Sequence, residues 1–297
     1  TISSFNSISL LLALIALAAG MYFDGLRLQR LVKIGGYKLS IKAVLRVIFS
    51  NYFMAMLTPG ASGGAVAQVL VLKSYGVPIS KGTPIVLIRT VFSIMFLVIM
   101  LPLVFLRDAI EIPYISRDML LIFAVLAVIA TLLGTYILQT KYMRQFVYNL
   151  AQRFKAHKTK DWLSKLETLN QGLGLLYKQP IQSFIVFIES GLSLLCLYCI
   201  APALMYAFTP DIPIIDILDR MILLNLILYF APTPGGTGIA EGLFVVLFST
   251  FVPNGTVGIV AVAWRVMAEY LPFFIGMYAV LTLYGRQFVA QETSKEQ

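Results

Sequence analysis

The feature that most constrains this chain is the length of its charge-free stretches. Thr1–Phe23, Val47–Leu72, Met119–Thr140, Ser190–Pro210, Met221–Ala240 and Gly242–Trp264 contain no Asp, Glu, Lys or Arg. About 20 apolar residues suffice for a helix to cross a bilayer. In hydrocarbon every backbone polar group needs an internal partner, so helices are the expected spanning form. The short alternating segments of an outer-membrane barrel are absent. Composition agrees: 59% of residues are hydrophobic and 12% charged, against about 25% charged in soluble domains. The expected fold class is an all-α polytopic membrane protein. The first apolar run lacks a basic leading flank and has its positive charges behind it, so it reads as a retained anchor rather than a signal peptide. Cys196 and Cys199 share one apolar run and read as small packed residues; His157 sits in a basic loop as a solvated side chain.

Lys and Arg mark cytoplasmic loops. One basic stretch holds Arg27, Arg30, Lys33, Lys38, Lys42 and Arg46, and a second runs from Lys141 to Lys178. The segment from Pro210 to Asp219 is acidic by contrast. Both basic stretches are therefore expected on the cytoplasmic side, with an even number of crossings between them. Four crossings satisfy this, and so does a non-crossing hairpin followed by two full spans. Within the central loop, about 139–180, Tyr142, Phe146, Leu150 and Phe154 recur at helical spacing, as do Trp162, Leu166, Leu169, Leu173 and Leu176. Apolar stripes flanked by Lys and Arg suit helices lying on anionic lipid headgroups, or a plain connector across the bundle end.

Two apolar segments are interrupted alike. "TPGASGGAVA" begins at Thr58 and "TPGGTGIAEG" at Thr233, with Ser62 opposite Thr237. Pro59, Gly60, Pro234, Gly235, Gly236 and Gly238 are poor helix formers. Arg89 lies 30 residues after Pro59, and Arg265 lies 31 after Pro234. Each unit, about 41–106 and about 217–285, reads as an apolar segment, a Pro-Gly break, a short helix, and a long Arg-bearing span. The first unit starts from the cytoplasmic side and the second from outside, so the pair is expected to be an inverted-topology repeat with discontinuous or re-entrant helices.

These residues resemble a known family. "PTPGGTGIAE" followed by a span containing Arg265 is similar to the flippase-like transmembrane domain of lysylphosphatidylglycerol synthases, the multiple peptide resistance factors. "NYFMAMLTPGASGGAVAQVLVLKSYGVPISKGTPIVLIRTVFSIMF" is similar to that family's first half. The resemblance covers roughly Ile41 to Leu283 and implies a prokaryotic cytoplasmic-membrane domain that moves lipid between leaflets. The soluble aminoacyl-transfer domain of the two-part members is not in these residues, so lipid aminoacylation is not implied. The first unit also departs from the second in having Val66 where the second has Glu241.

Ionisable groups inside a bilayer are costly and are functional candidates. Arg89, Glu189, Arg220, Glu241, Arg265 and Glu269 stand out. Arg265 and Glu269 are four apart and share a helix face; Glu241 falls in a first helical turn, where the dipole favours a carboxylate. Glu189 needs a partner, and Arg220, near a span end, is expected to snorkel. Arg89 and Arg265 are expected to receive a phosphate, aided by the helix starts at Ser62 and Thr237. The expected function is a flippase or scramblase for a phospholipid or polyprenyl-phosphate lipid; the alternative is a secondary transporter of small anions or metabolites. An enzyme is not expected: no metal cluster, Ser/His pair or nucleotide loop stands in the sequence, and no cofactor or metal is called for. The net charge of +9 belongs to cytoplasmic loops and needs no nucleic-acid partner. A homodimer is compatible with this reading.

Overall fold

The computed structural model describes residues 7–107, 117–137, 174 and 179–293. The central amphipathic stripes and His157 lie outside the described residues. The described chain is helical: α1 Ser7–Ile34, α2 Ile41–Leu57, α3 Ser62–Ser74, α4 Ile79–Leu106, α5 Arg117–Ile137, α6 Pro180–Tyr198, α7 Ile200–Met205, α8 Ile214–Leu228, α9 Ile239–Phe248, α10 Val257–Arg265, a π-helical turn Val266–Tyr270, and α11 Leu271–Thr293. Four stretches among the described residues are long and apolar enough to cross a membrane: Ser7–Ile34, Ile79–Leu106, Pro180–Met205 and Val257–Leu283. The protein is an all-α polytopic membrane protein.

Several helices between these long ones are short. At 1.5 Å per residue, α2 reaches about 25 Å, α3 about 20 Å and α9 about 15 Å, less than the roughly 30 Å of hydrocarbon. Helix α2 starts at the Ser40 cap, whose hydroxyl accepts from Ala43 N at 3.3 Å. It stops at Thr58, which is extended, as the residue before a proline tends to be. The chain then turns through Gly60 and Ala61, with φ of +60° and +54°, and returns as α3. Helix α8 ends earlier, at Leu228, and the chain then reaches Pro234 and turns through Gly235 and Gly236, with φ of +58° and +69°. The two breaks meet: Pro59 and Pro234 form an isolated antiparallel bridge.

Contacts fix the ends of the bundle. Arg30 of α1 donates to Gln182 of α6 at 2.9 Å, so the last turns of α1 and the first turns of α6 lie at one end. The start of α4 is at that end too, because Ile85 packs against Gly35. The far end of α4 carries Arg107, which reaches Asp219 of α8 at 3.3 Å. The α2–α3 hairpin thus leaves from the α1 terminus, and the α8–α9 hairpin from the opposite end. Close packing joins them to the long helices. Phe53 and Phe273 have ring centroids 5.4 Å apart, and Gly276 sits where a Cβ would lie 2.1 Å from Phe49 O. Gly276 is thus a close-approach point between α11 and α2.

Candidate functional site

Asp24 and Arg27 lie one helical turn apart on α1, on the face turned to α4. Arg27 Nε donates to Asp24 Oδ1 at 2.5 Å, and Arg27 Nη1 to Ser93 Oγ at 2.8 Å. Arg89, from α4, grips the same carboxylate: Nε donates to Oδ1 at 3.0 Å and Nη2 to Oδ2. Its Nη1 donates to Gln68 Oε1 of α3, and Gln68 Nε2 to Asn51 Oδ1 of α2, both at 2.6 Å. The side chains of Asp24, Arg27 and Arg89 are 4%, 7% and 8% exposed. Two guanidinium groups on one carboxylate leave this buried cluster with a formal charge of +1.

The second cluster belongs to the second break. Arg265, at the end of α10, is 1% exposed. Its Nε donates to Glu241 Oε1 and its Nη2 to the carbonyl of Gly235, each at 2.8 Å. Nη1 lies 3.0 Å from Glu269 Oε1 across the π-helical turn. The other oxygen of Glu241 accepts from Gly238 N at 2.7 Å, so one carboxylate both caps α9 and holds the arginine. One guanidinium between two carboxylates gives this cluster a formal charge of −1.

The two clusters share no hydrogen-bond partner among the described residues, but one group senses both. The Tyr52 hydroxyl lies within electrostatic reach of Asp24, Arg89 and Arg27 on one side and of Glu269 on the other. Tyr229 adjoins the first cluster through Ser93. Among the described residues, Tyr198 Oη, Thr233 Oγ1 and Arg265 Nη1 are buried without a well-directed hydrogen bond. An interior with opposite formal charges and spare donors can bind a polar group that neither protein cluster satisfies fully.

Glu269 lies beside Arg265, as their spacing suggested, and Glu241 holds the same arginine from the first turn of α9. Arg89 bonds through all three of its nitrogens inside the first cluster and does not reach toward a membrane surface. Ser62 and Thr237 are exposed, and their hydroxyls turn back to Pro59 O at 3.1 Å and Pro234 O at 2.8 Å; helix α9 starts two residues after Thr237, at Ile239. Arg220 does not extend into solvent: it donates to Leu247 O and stacks on the Phe251 ring, 4.5 Å from its centroid. Glu189 finds its partner in Arg30, at 2.7 Å.

Two charges were assigned to the wrong surroundings. Arg27 and Arg30 counted as loop residues because the first apolar run ends at Phe23, whereas α1 continues to Ile34 and carries both inward. The carboxylate missing opposite Val66 is supplied by another helix, as Asp24. An Asp and an Arg three apart, followed by Leu28, Leu31 and Val32, was the signal available for this pair. Nothing in the spacing pointed to Gln68, Asn51 or Ser93.

Known proteins place the chain. A UPF0104 membrane protein of Archaeoglobus fulgidus is 21% identical over 263 residues, covering 86% of this chain and 80% of that relative. The family described as the lysylphosphatidylglycerol synthase TM region matches residues 1–276, nearly the whole length, both breaks and both arginine clusters included. This integral protein of a prokaryotic membrane belongs to the lysylphosphatidylglycerol synthase transmembrane-region family.

Proposed function

We propose that this protein is a membrane transporter that moves a phosphate-bearing lipid, a phospholipid or a polyprenyl phosphate, between leaflets, and that it carries out no covalent chemistry. The observation that carries this reading is the pair of oppositely charged buried clusters beside the contact of Pro59 with Pro234. Charges inside a bilayer are retained where they serve a path, and broken helices are tolerated where they are buried in protein or line a cavity. We read the halves as inverted repeats, with the contact of equivalent prolines near the pseudo-two-fold axis and the clusters flanking it.

A headgroup phosphate competes with Asp24 for Arg27 and Arg89, and releasing that carboxylate shifts the balance between two arrangements of the bundle. The shift equals the difference in affinity for the two arrangements. Liposomes containing a fluorescent phospholipid test the reading. Arg89→Gln and Arg265→Lys are each expected to slow leaflet exchange at least tenfold in protein that still melts cooperatively. Lysine keeps the charge of Arg265 and loses the fork that engages Glu241 and Gly235 together. Wild-type exchange rates in both folded variants would refute the proposal. Movement of a small anion without lipid would replace the cargo by a solute.

A further inference from the structure

A pocket of about 380 Å³ opens between the last turns of α1 and the first turns of α6, lined among others by Gln29, Arg30, Lys33, Gln179 and Gln182. It is separate from the central clusters, and its volume falls within the range of small-ligand sites. We infer that this pocket binds a phosphate group at the end of the bundle where α1 stops and α6 starts.

The argument starts with Arg30. Its Nε and Nη2 donate to Glu189, at 3.1 Å and 2.7 Å, and its Nη1 donates to Gln182 Oε1 at 2.9 Å. A guanidinium has five N–H donors, so one N–H on each terminal nitrogen is left over. Glu189 is buried and neutralises Arg30 from below, fixing the plane of the guanidinium. Gln182 uses its oxygen on Arg30, which leaves its amide N–H groups to donate. Lys33, exposed at the rim, has no ion-pair partner among the described residues. Counting Arg30, Lys33 and Glu189, the pocket carries a formal charge of +1. It also lies at the N-terminus of α6, a helix of 19 residues, whose dipole favours an anion. Donors, net charge and dipole therefore agree in sign, and a tetrahedral oxyanion uses them all.

The phosphate could arrive on a lipid or on a water-soluble ester. Beside the pocket, Ile181 and Phe184 on α6 are 74% and 64% exposed, an apolar flank on which acyl chains can lie while the headgroup turns inward. A soluble ester has no use for that flank.

Binding to the purified full chain separates the cases, with phosphatidylglycerol counted by native mass spectrometry and inorganic phosphate followed by thermal shift. Lys33→Gln is expected to weaken retention of one phosphatidylglycerol about fivefold, from the typical contribution of a single lysine near a membrane surface, with Lys33→Arg restoring it. Arg30→Gln should abolish it. Because that change strands buried Glu189, the double variant Lys33→Gln/Gln182→Ala gives a second test that leaves the Arg30–Glu189 pair whole. Stabilisation by inorganic phosphate that both Lys33 variants follow, without loss of bound lipid, supports the site and assigns it to a soluble ester. Unchanged lipid retention and unchanged phosphate response in both Lys33→Gln and the double variant overturn the inference. None of these outcomes depends on whether the central clusters transport lipid.

Discussion

At the first break the chain passes through Pro59, Gly60, Ala61 and Ser62; at the second, through Pro234, Gly235, Gly236 and Thr237. The backbone repeats almost residue for residue. The residues after each proline are left-handed, Ala61 N bonds Thr58 O at 3.2 Å and Gly236 N bonds Thr233 O at 3.0 Å, and each hydroxyl returns to its proline carbonyl. The wiring around the two turns differs. In the first, Thr58 Oγ1 accepts from Gly63 N at 2.9 Å and donates to Met54 O at 2.8 Å. In the second, Glu241 takes over the equivalent duty at Gly238, and the hydroxyl of Thr233 is buried without a hydrogen-bond partner among the described residues. The first break therefore closes on itself, and its downstream arginine, Arg89, is free to bind α1. The second break is held by its own arginine, through Gly235 O and Glu241. Two turns of one shape thus belong to circuits of opposite charge.

That contrast can be attacked first at the carboxylates. Asp24 is the sole acid among the described residues bonded to Arg27 and Arg89, so Asp24→Asn should cost about 3–5 kcal/mol, the range for breaking a buried ion pair. Arg265 keeps Glu269 when Glu241 is neutralised, so Glu241→Gln should cost only about 1–3 kcal/mol. Thermal unfolding in one detergent compares them, and equal losses would remove the asymmetry between the clusters.

The glycines give the next largest difference. A Cβ on Gly60 meets nothing within 4 Å, whereas one on Gly235 would lie 2.4 Å from Met56 Sδ. Gly60→Ala should cost about 1 kcal/mol of left-handed strain; Gly235→Ala adds overpacking of about 1–3 kcal/mol. Gly276→Ala should also be severe, because its clash is with the Phe49 backbone. Gly258, with open space around it, is the appropriate mild control. A Gly60 variant as damaging as the Gly235 variant would show that the first turn is as tightly enclosed as the second.

The hydroxyls give the smallest and most diagnostic effect. Thr58→Val should lose about 1 kcal/mol with its cap. Thr233→Val removes an unsatisfied hydroxyl in an isosteric change, and should be neutral or slightly stabilising. A loss at Thr233 as large as at Thr58 would reveal a partner for that oxygen and make the two breaks alike after all.

Much of this architecture is legible in the chain. Charge-free runs determine that the protein lies in a membrane as helices, because hydrocarbon admits no unpaired backbone. The breaks are visible because proline followed directly by glycine disfavours helix in the middle of an apolar run, and the Arg265–Glu269 pair follows from helical spacing alone. The expected side of each basic stretch rests on its charge alone. What the chain could not reveal is partnership across helices. Asp24 and Arg89 are 65 residues apart, Arg30 and Glu189 are 159 apart, and no local period links either pair. A buried charge announces by its cost that it needs a partner, but which helix supplies that partner depends on how the helices pack. Only the tertiary structure decided that α1, read from its apolar run as a plain anchor, carries the carboxylate around which the first arginine cluster is built.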